Sequence, residues 1–191
     1  MKPFADYDKV EVYKPAERLP VGGYIIKILG AKEVPYSWGS VLEVQFDINE
    51  GDYKSFYTLQ YRNSQLEDKK YKGVYRMNVP KDDGSEMDSW TKQHFKRDIL
   101  AVEDSNPGFR WSWNEAELAG KVVGALFHDK EWEKDGKTGF YTALHSFCNV
   151  EDILSENFKI PAPRLLKKKS DTAQAPFASP FDNADDVELP Y

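Results

Sequence analysis

Apolar positions recur every second residue along "SVLEVQFDI". Leu42, Val44, Phe46 and Ile48 fall on one face, and Val41, Glu43, Gln45 and Asp47 on the other. That period of two predicts a half-buried strand. "GGYIIKILGAKEV" (Gly22 to Val34), opened by glycines, has strand composition too, and "PYSWG" between the two runs supplies the turn of a hairpin. A third, aromatic-rich strand is predicted over "YKSFYTLQY" (Tyr53 to Tyr61), reached through the turn "NEGD". Farther on, "KVVGALFHDKEW" and "GFYTALHSFCNV" flank "EKDGKTG", whose Asp135-Gly136 is a strong hairpin signal.

The texture changes between the third strand and this last hairpin. "SWTKQHFKRDILAVEDSN" places Trp90, His94 or Phe95, and Ile99 or Val102 at helical spacing, with Ser89 as the cap. "NEAELAGK" and "VEDILSEN" read as short helices before the fourth strand and after the fifth. Three strands, helical matter, then two strands predict a mainly β protein with helical insertions. The order suits a five-stranded OB-fold barrel, in which a helix joins strands three and four; a β-sandwich is the competing architecture.

Composition places this pattern in a globular body. Forty per cent of the residues are hydrophobic and 14% aromatic, enough for a core. No apolar run approaches the roughly 20 residues of a membrane span, and "MKPFADYDKVEV" lacks the pattern of a signal peptide. The single cysteine, Cys148, excludes an internal disulfide framework and suits a reducing compartment. The expected location is the cytoplasm.

Charge is divided unevenly. Asp171, Asp182, Asp185, Asp186 and Glu188 lie from Ser170 onward without a lysine or arginine, which leaves 27 acids against 26 bases in the preceding 169 residues. The body is therefore almost neutral. We divide the chain into an N-terminal extension (1–20), a barrel domain (21–162), and a basic linker with a disordered acidic tail (163–191). The tail is rich in Ala, Pro, Ser and Asp and has no periodicity; Lys167, Lys168 and Lys169 form the basic triplet before it.

Catalytic patterns are missing from the sequence. His94, His128 and His145 are scattered, and neither a phosphate loop nor a nucleophile elbow occurs. His128 and His145 could face each other across the last hairpin, but each reads better as an ordinary half-buried strand histidine. The acids of "KDDGSEMD" (Lys81 to Asp88) match no EF-hand and read as a solvated turn before a helix. No metal, no cofactor and no enzymatic activity are expected; a nuclease using Asp82 to Asp88 is the weakest reading.

Aromatic residues interleaved with bases carry more. Tyr36 and Trp38 occupy the first hairpin loop, and Trp132 sits with Lys130, Lys134 and Lys137 at the mouth of the last. In an OB fold these loops flank the face of strands two and three, where oligonucleotides bind. The third predicted strand adds Lys54, Phe56, Tyr61 and Arg62, and "VYRMNV" adds Tyr75 and Arg76. Aromatic faces stack on bases and cations hold phosphates, so this set points to a nucleic-acid single strand, DNA or RNA. Core packing is the alternative for Tyr57, Leu59 and Tyr61, since alternation turns half a strand inward. Trp111 and Trp113 of "GFRWSW" are open to a role in packing a helix onto the barrel.

The chain finishes on "DNADDVELPY". An acidic segment ending in an apolar or aromatic residue resembles the tip of single-stranded DNA-binding proteins, although the usual last residue is Phe and here it is Tyr191. The resemblance implies that Asp182, Asp185, Asp186, Glu188, Leu189, Pro190 and Tyr191 dock onto replication or recombination proteins. Over residues 20 to 160, "LPVGGYIIKILGAKEV…VLEVQFDINEGDYKSFY", "EDSNPGF" and "LAGKVVGALFHDKEW" resemble phage and prophage proteins of Gram-positive hosts, similar to single-stranded DNA-binding proteins of phage replication modules. The expected function is therefore sequence-tolerant binding of single-stranded DNA in phage replication or recombination, inside the bacterial cell. A protein–protein adaptor on the same barrel is the alternative, and monomer and homo-oligomer are both compatible with the sequence.

Overall fold

The computed structural model describes residues 18–166. The acidic tail and its tip lie outside them. The described chain runs β1 (Gly22–Tyr36), β2 (Gly39–Ile48), α1 (Phe56–Asn63), β3 (Val74–Asn78), α2 (Glu86–Asp104), a 3-10 turn (Glu115–Leu118), β4 (Val122–Lys134), β5 (Lys137–Cys148) and α3 (Val150–Leu154). The protein is mainly β with helical insertions.

Five antiparallel strands form one sheet in the order β3-β2-β1-β4-β5. Strand β1 serves two neighbours: Gly22 to Lys27 pair with β4, and Ile26 onward pairs with β2. The register slips at Leu29 in β1 and at His145 in β5. Such bulges bend a strand and increase its twist. Strands β3 and β5 remain the two edges, without a backbone ladder between them.

The apolar face of β2 turns inward as predicted, but Val41 and Asp47 of the opposite face are buried as well. Leu42, Val44, Phe46 and Ile48 are all buried, facing Ile28 and Ala31 of β1 and Met77 and Tyr75 of β3. Phe127 of β4 and Tyr57 close on Phe46, with ring centroids at 5.9 and 5.3 Å. The last hairpin also forms as predicted: Asp135 (φ 51°) and Gly136 (φ 73°) make the left-handed pair that a two-residue turn demands. Leu19, assigned above to the extension, is fully buried in the core.

The third predicted strand is a correction. Phe56–Asn63 is helix α1, and the third strand is Val74–Asn78. Alternating aromatics satisfy either geometry, and a distant carboxylate decides between them. Buried Asp47 accepts the amides of Tyr57 and Thr58, each at 2.9 Å, and so caps a helix whose own Ser55 makes no cap bond. Tyr57 turns inward while Leu59 is half exposed. The chain then returns to β2 through Gly73, where a Cβ would stand 2.3 Å from the Phe46 carbonyl oxygen.

Helix α2 is where predicted, but rotated and longer. Its cap is Ser85, not Ser89, accepting from the Asp88 amide at 3.1 Å. Asp88, Thr91, Phe95, Asp98 and Val102 make the buried stripe, and Trp90 is 45% exposed. Three polar residues on that stripe disguise it in the sequence. Trp111 and Trp113 lie against Phe95, at 5.9 and 6.3 Å, and so pack the "GFRWSW" loop onto α2.

Candidate nucleic-acid interface

The β4–β5 hairpin extends beyond the start of β1, and side chains alternate along it. His128, Lys130, Trp132 and Lys134 therefore share one face, with cross-strand partners Ala143, Tyr141, Gly139 and Lys137. The Lys130 ammonium stands 6.0 Å from the centre of the Tyr141 ring. Trp132 lies over Gly139, where a Cβ would come within 2.9 Å of the indole. Four of the predicted residues, Lys130, Trp132, Lys134 and Lys137, are thus brought together. The opposite face carries Asp129 and Thr142, both held by Arg18.

A short strap completes this surface. The Arg164 amide donates to the Asp129 carbonyl at 2.8 Å, and the Arg164 carbonyl accepts from Glu131 at 2.9 Å. This parallel bridge sets Arg164 beside Lys130. Upstream, His128 donates through Nδ1 to the Ala162 carbonyl at 3.0 Å, because a carbonyl can only accept.

The His128 and His145 rings meet edge to face at 5.0 Å. Burial, then the charges of Arg164 and Lys130, holds the His128 imidazole below its ordinary range. His145 is pushed down to about 4 by burial, by His128, and by Arg97, His94 and Arg164. Burial is the main reason both imidazoles resist protonation, and the neighbouring cations add to it. Lys130, Lys134 and Lys137, with Arg164 beside them, stand among the acids Asp129, Glu131, Glu133 and Asp135 of the same hairpin.

Several members of this surface escaped the sequence reading. Tyr141 follows from the register that the Asp135-Gly136 turn imposes, and counting back from the turn pairs it with Lys130. Arg97 and Arg164 leave no local signal, since α2 and the strap reach the hairpin only through the fold.

The remaining predicted residues do not join this patch. Tyr36 and Trp38 stack on each other at the β1–β2 turn, 5.4 Å apart with their planes at 13°. Since β4 runs antiparallel to β1, the turn leaving β4 lies past the start of β1, and the turn leaving β1 lies at the other end. Arg76 faces outward on β3, paired with Glu43 at 3.0 Å, and Lys32 approaches the same carboxylate at 3.6 Å. Tyr75 is a correction, because it points into the molecule and its hydroxyl donates to Asp98 at 2.8 Å. Phe56 packs in the ring cluster of Tyr53 and Tyr57, so it too serves the core. Tyr61, on exposed α1 with Lys54 and Arg62 nearby in sequence, lies under the Lys69 ammonium at 5.0 Å.

The acids around Asp88 are spent locally: Lys81 to Ser85 form the expected solvated turn before α2, and only Asp88 is buried. The Asp88 carboxylate accepts from the amides of Lys81 and Asp82, at 2.8 and 3.1 Å, and pairs with Lys92 at 2.8 Å. The Lys92 ammonium holds this carboxyl below the usual carboxylate range. Lys92 also meets Asp82. Among the described residues no group of three His, Cys, Asp or Glu side chains is placed to hold a metal ion, and no helix is long and apolar enough to cross a membrane. No protein-family model matches the chain, and no curated protein is significantly similar to it.

Proposed function

We propose that this chain binds single-stranded DNA without sequence preference, and that the outer face of the β4–β5 hairpin is the main contact. One observation carries the reading: Lys130, Trp132, Lys134, Lys137 and Tyr141 alternate onto one face of the hairpin beside Arg164. Aromatic rings that stack on any base, interleaved with cations that hold any phosphate, are the sequence-tolerant design. The fold supports the same reading. A bulged β1 shared between β2 and β4, with an unladdered seam between β3 and β5, is compatible with a partly open OB barrel. With the tail resemblance, this gives a phage-type replication or recombination protein whose acidic tip recruits partner proteins.

The test is titration of fluorescent oligo-dT at low salt, read by anisotropy and by tryptophan quenching. Binding should weaken with log salt at a slope of about −0.7 per phosphate neutralised, and Lys130→Ala with Lys134→Ala should flatten that slope. Equal affinity for duplex DNA, or no binding at low salt, overturns the proposal.

A further inference from the structure

Residues at i, i+4 and i+7 of a helix lie on one flank, about 10 Å from end to end at about 1.5 Å per residue. On α2 these are Trp90, His94 and Arg97. The His94 ring lies against the Trp90 indole with centroids 3.7 Å apart and planes tilted by 32°, and its Nδ1 lies 2.8 Å from the Trp90 carbonyl oxygen. His94 thus braces one side of the indole, and nearly half of Trp90 remains open to solvent.

Arg97 is held differently. Its Nε donates to Asp98 Oδ1 at 2.8 Å, and a terminal nitrogen reaches the same oxygen at 2.7 Å. Asp98 is only 2% exposed, while much of the guanidinium remains at the surface. The carboxylate is itself fixed by Tyr75, which donates to Oδ2 at 2.8 Å, and by the Phe147 amide at 3.3 Å. Three elements thus aim one guanidinium. The flank adjoins β5 at His145, whose carbonyl also accepts from Tyr75.

We infer that this flank of α2 is a nucleotide seat continuous with the hairpin face, where Trp90 stacks a base and Arg97 binds the adjoining phosphodiester. Asp98 is a positioning residue that presents Arg97 and touches no nucleic acid. The inference rests on the single-strand-binding reading and extends it, since α2 lengthens the path of the strand beyond the hairpin. The chemistry fits the unit recognised: a flat π face for the base, and a forked, permanently charged donor for the phosphate. A helix N-terminus plays no part, because both residues lie beyond the first turn of α2.

The experiment is oligo-dT titration of the full chain across a salt series, with folding of every variant checked by circular dichroism at the assay temperature. Trp90→Ala should weaken binding about 5- to 150-fold and leave the salt slope unchanged. Arg97→Ala should weaken binding and reduce the slope by about 0.7, the signature of one lost phosphate contact. Asp98→Asn should weaken binding alone but add nothing in the Arg97→Ala background. If Trp90→Ala and Arg97→Ala bind like wild type while Lys130→Ala does not, the seat is overturned and the hairpin reading stands. If Asp98→Asn costs as much affinity with Arg97→Ala as without it, Asp98 acts only through the fold and its positioning role is overturned. If the unaltered chain binds no oligo-dT, the underlying reading has failed and the seat fails with it.

Discussion

The hydroxyl of Tyr75, on edge strand β3, donates to the carbonyl of His145 on edge strand β5 at 3.1 Å. The contact exists because His145 is the bulged residue of β5 and its carbonyl is left outside the ladder with β4. The hydroxyl has one proton, which it shares between this carbonyl and the nearer carboxylate of Asp98 of α2, at 2.8 Å. A side chain thereby bridges the two edges that no backbone ladder joins. Burial, then the Asp98 charge, pushes the Tyr75 phenol well above its ordinary range, so it stays protonated and remains a donor.

Tyr75→Phe removes that donor and leaves a buried carboxylate one partner short. Unfolding in urea should show a loss of about 1–2 kcal/mol. An unchanged midpoint would mean that the bridge contributes nothing to holding the edges.

Asp47→Ala strips α1 of its cap and leaves the amides of Tyr57 and Thr58 without their acceptor. The expected cost is about 2–3 kcal/mol by denaturant titration, since charged acceptors contribute more than neutral ones. Asp47→Asn keeps one acceptor oxygen and should retain part of that stability.

Trp132→Ala should weaken oligo-dT binding by about 1–3 kcal/mol, the contribution of one stacked base. It should also lower the melting temperature modestly, because the indole covers Gly139. A melting shift without any change in affinity would assign Trp132 to hairpin packing alone.

Acid should destabilise the protein through its paired histidines. Both fold with depressed pKa values, His145 to about 4, whereas an unfolded histidine titrates near about 6.5. Their contribution is complete above the unfolded value and is lost as pH falls toward the folded ones. His145 is only partly covered and keeps a good share of its surface in solvent, so screening keeps its contribution small. Melting temperatures measured from pH 7.5 down to 4.5 should decline, and His128→Gln with His145→Gln should flatten the decline. A decline that the double variant leaves untouched would place the acid sensitivity elsewhere.

Deleting residues 182–191 removes four acidic side chains, Asp182, Asp185, Asp186 and Glu188. If a tethered polyanion competes with DNA for the cationic face, affinity for oligo-dT should rise, most at low salt. Tyr191→Ala carries no charge change and should leave DNA affinity alone while weakening partner capture. A truncated chain that binds DNA no better at low salt would exclude competition by the tip.

What the sequence determined by itself was whatever depends on neighbours along the chain. Asp135-Gly136 sets a turn and, by counting back, the register that pairs Lys130 with Tyr141. The alternation of Leu42 to Ile48 sets the inward face of β2. Local chemistry suffices for both, because a turn type and a period of two need no distant partner. Tertiary structure decided the rest. "SFYTLQY" has the residues of a strand or a helix, and Asp47, ten residues upstream of Tyr57, supplies the amide acceptor that makes it helical. Polar Asp88, Thr91 and Asp98 became the buried stripe of α2 because each found a hydrogen-bond partner: the amides of Lys81 and Asp82, the Met87 carbonyl, and Tyr75 with Phe147. With those three turned inward, Trp90 and Arg97 were turned out. Polarity in a sequence predicts exposure only while a buried partner is missing, and those partners were brought within reach by folding.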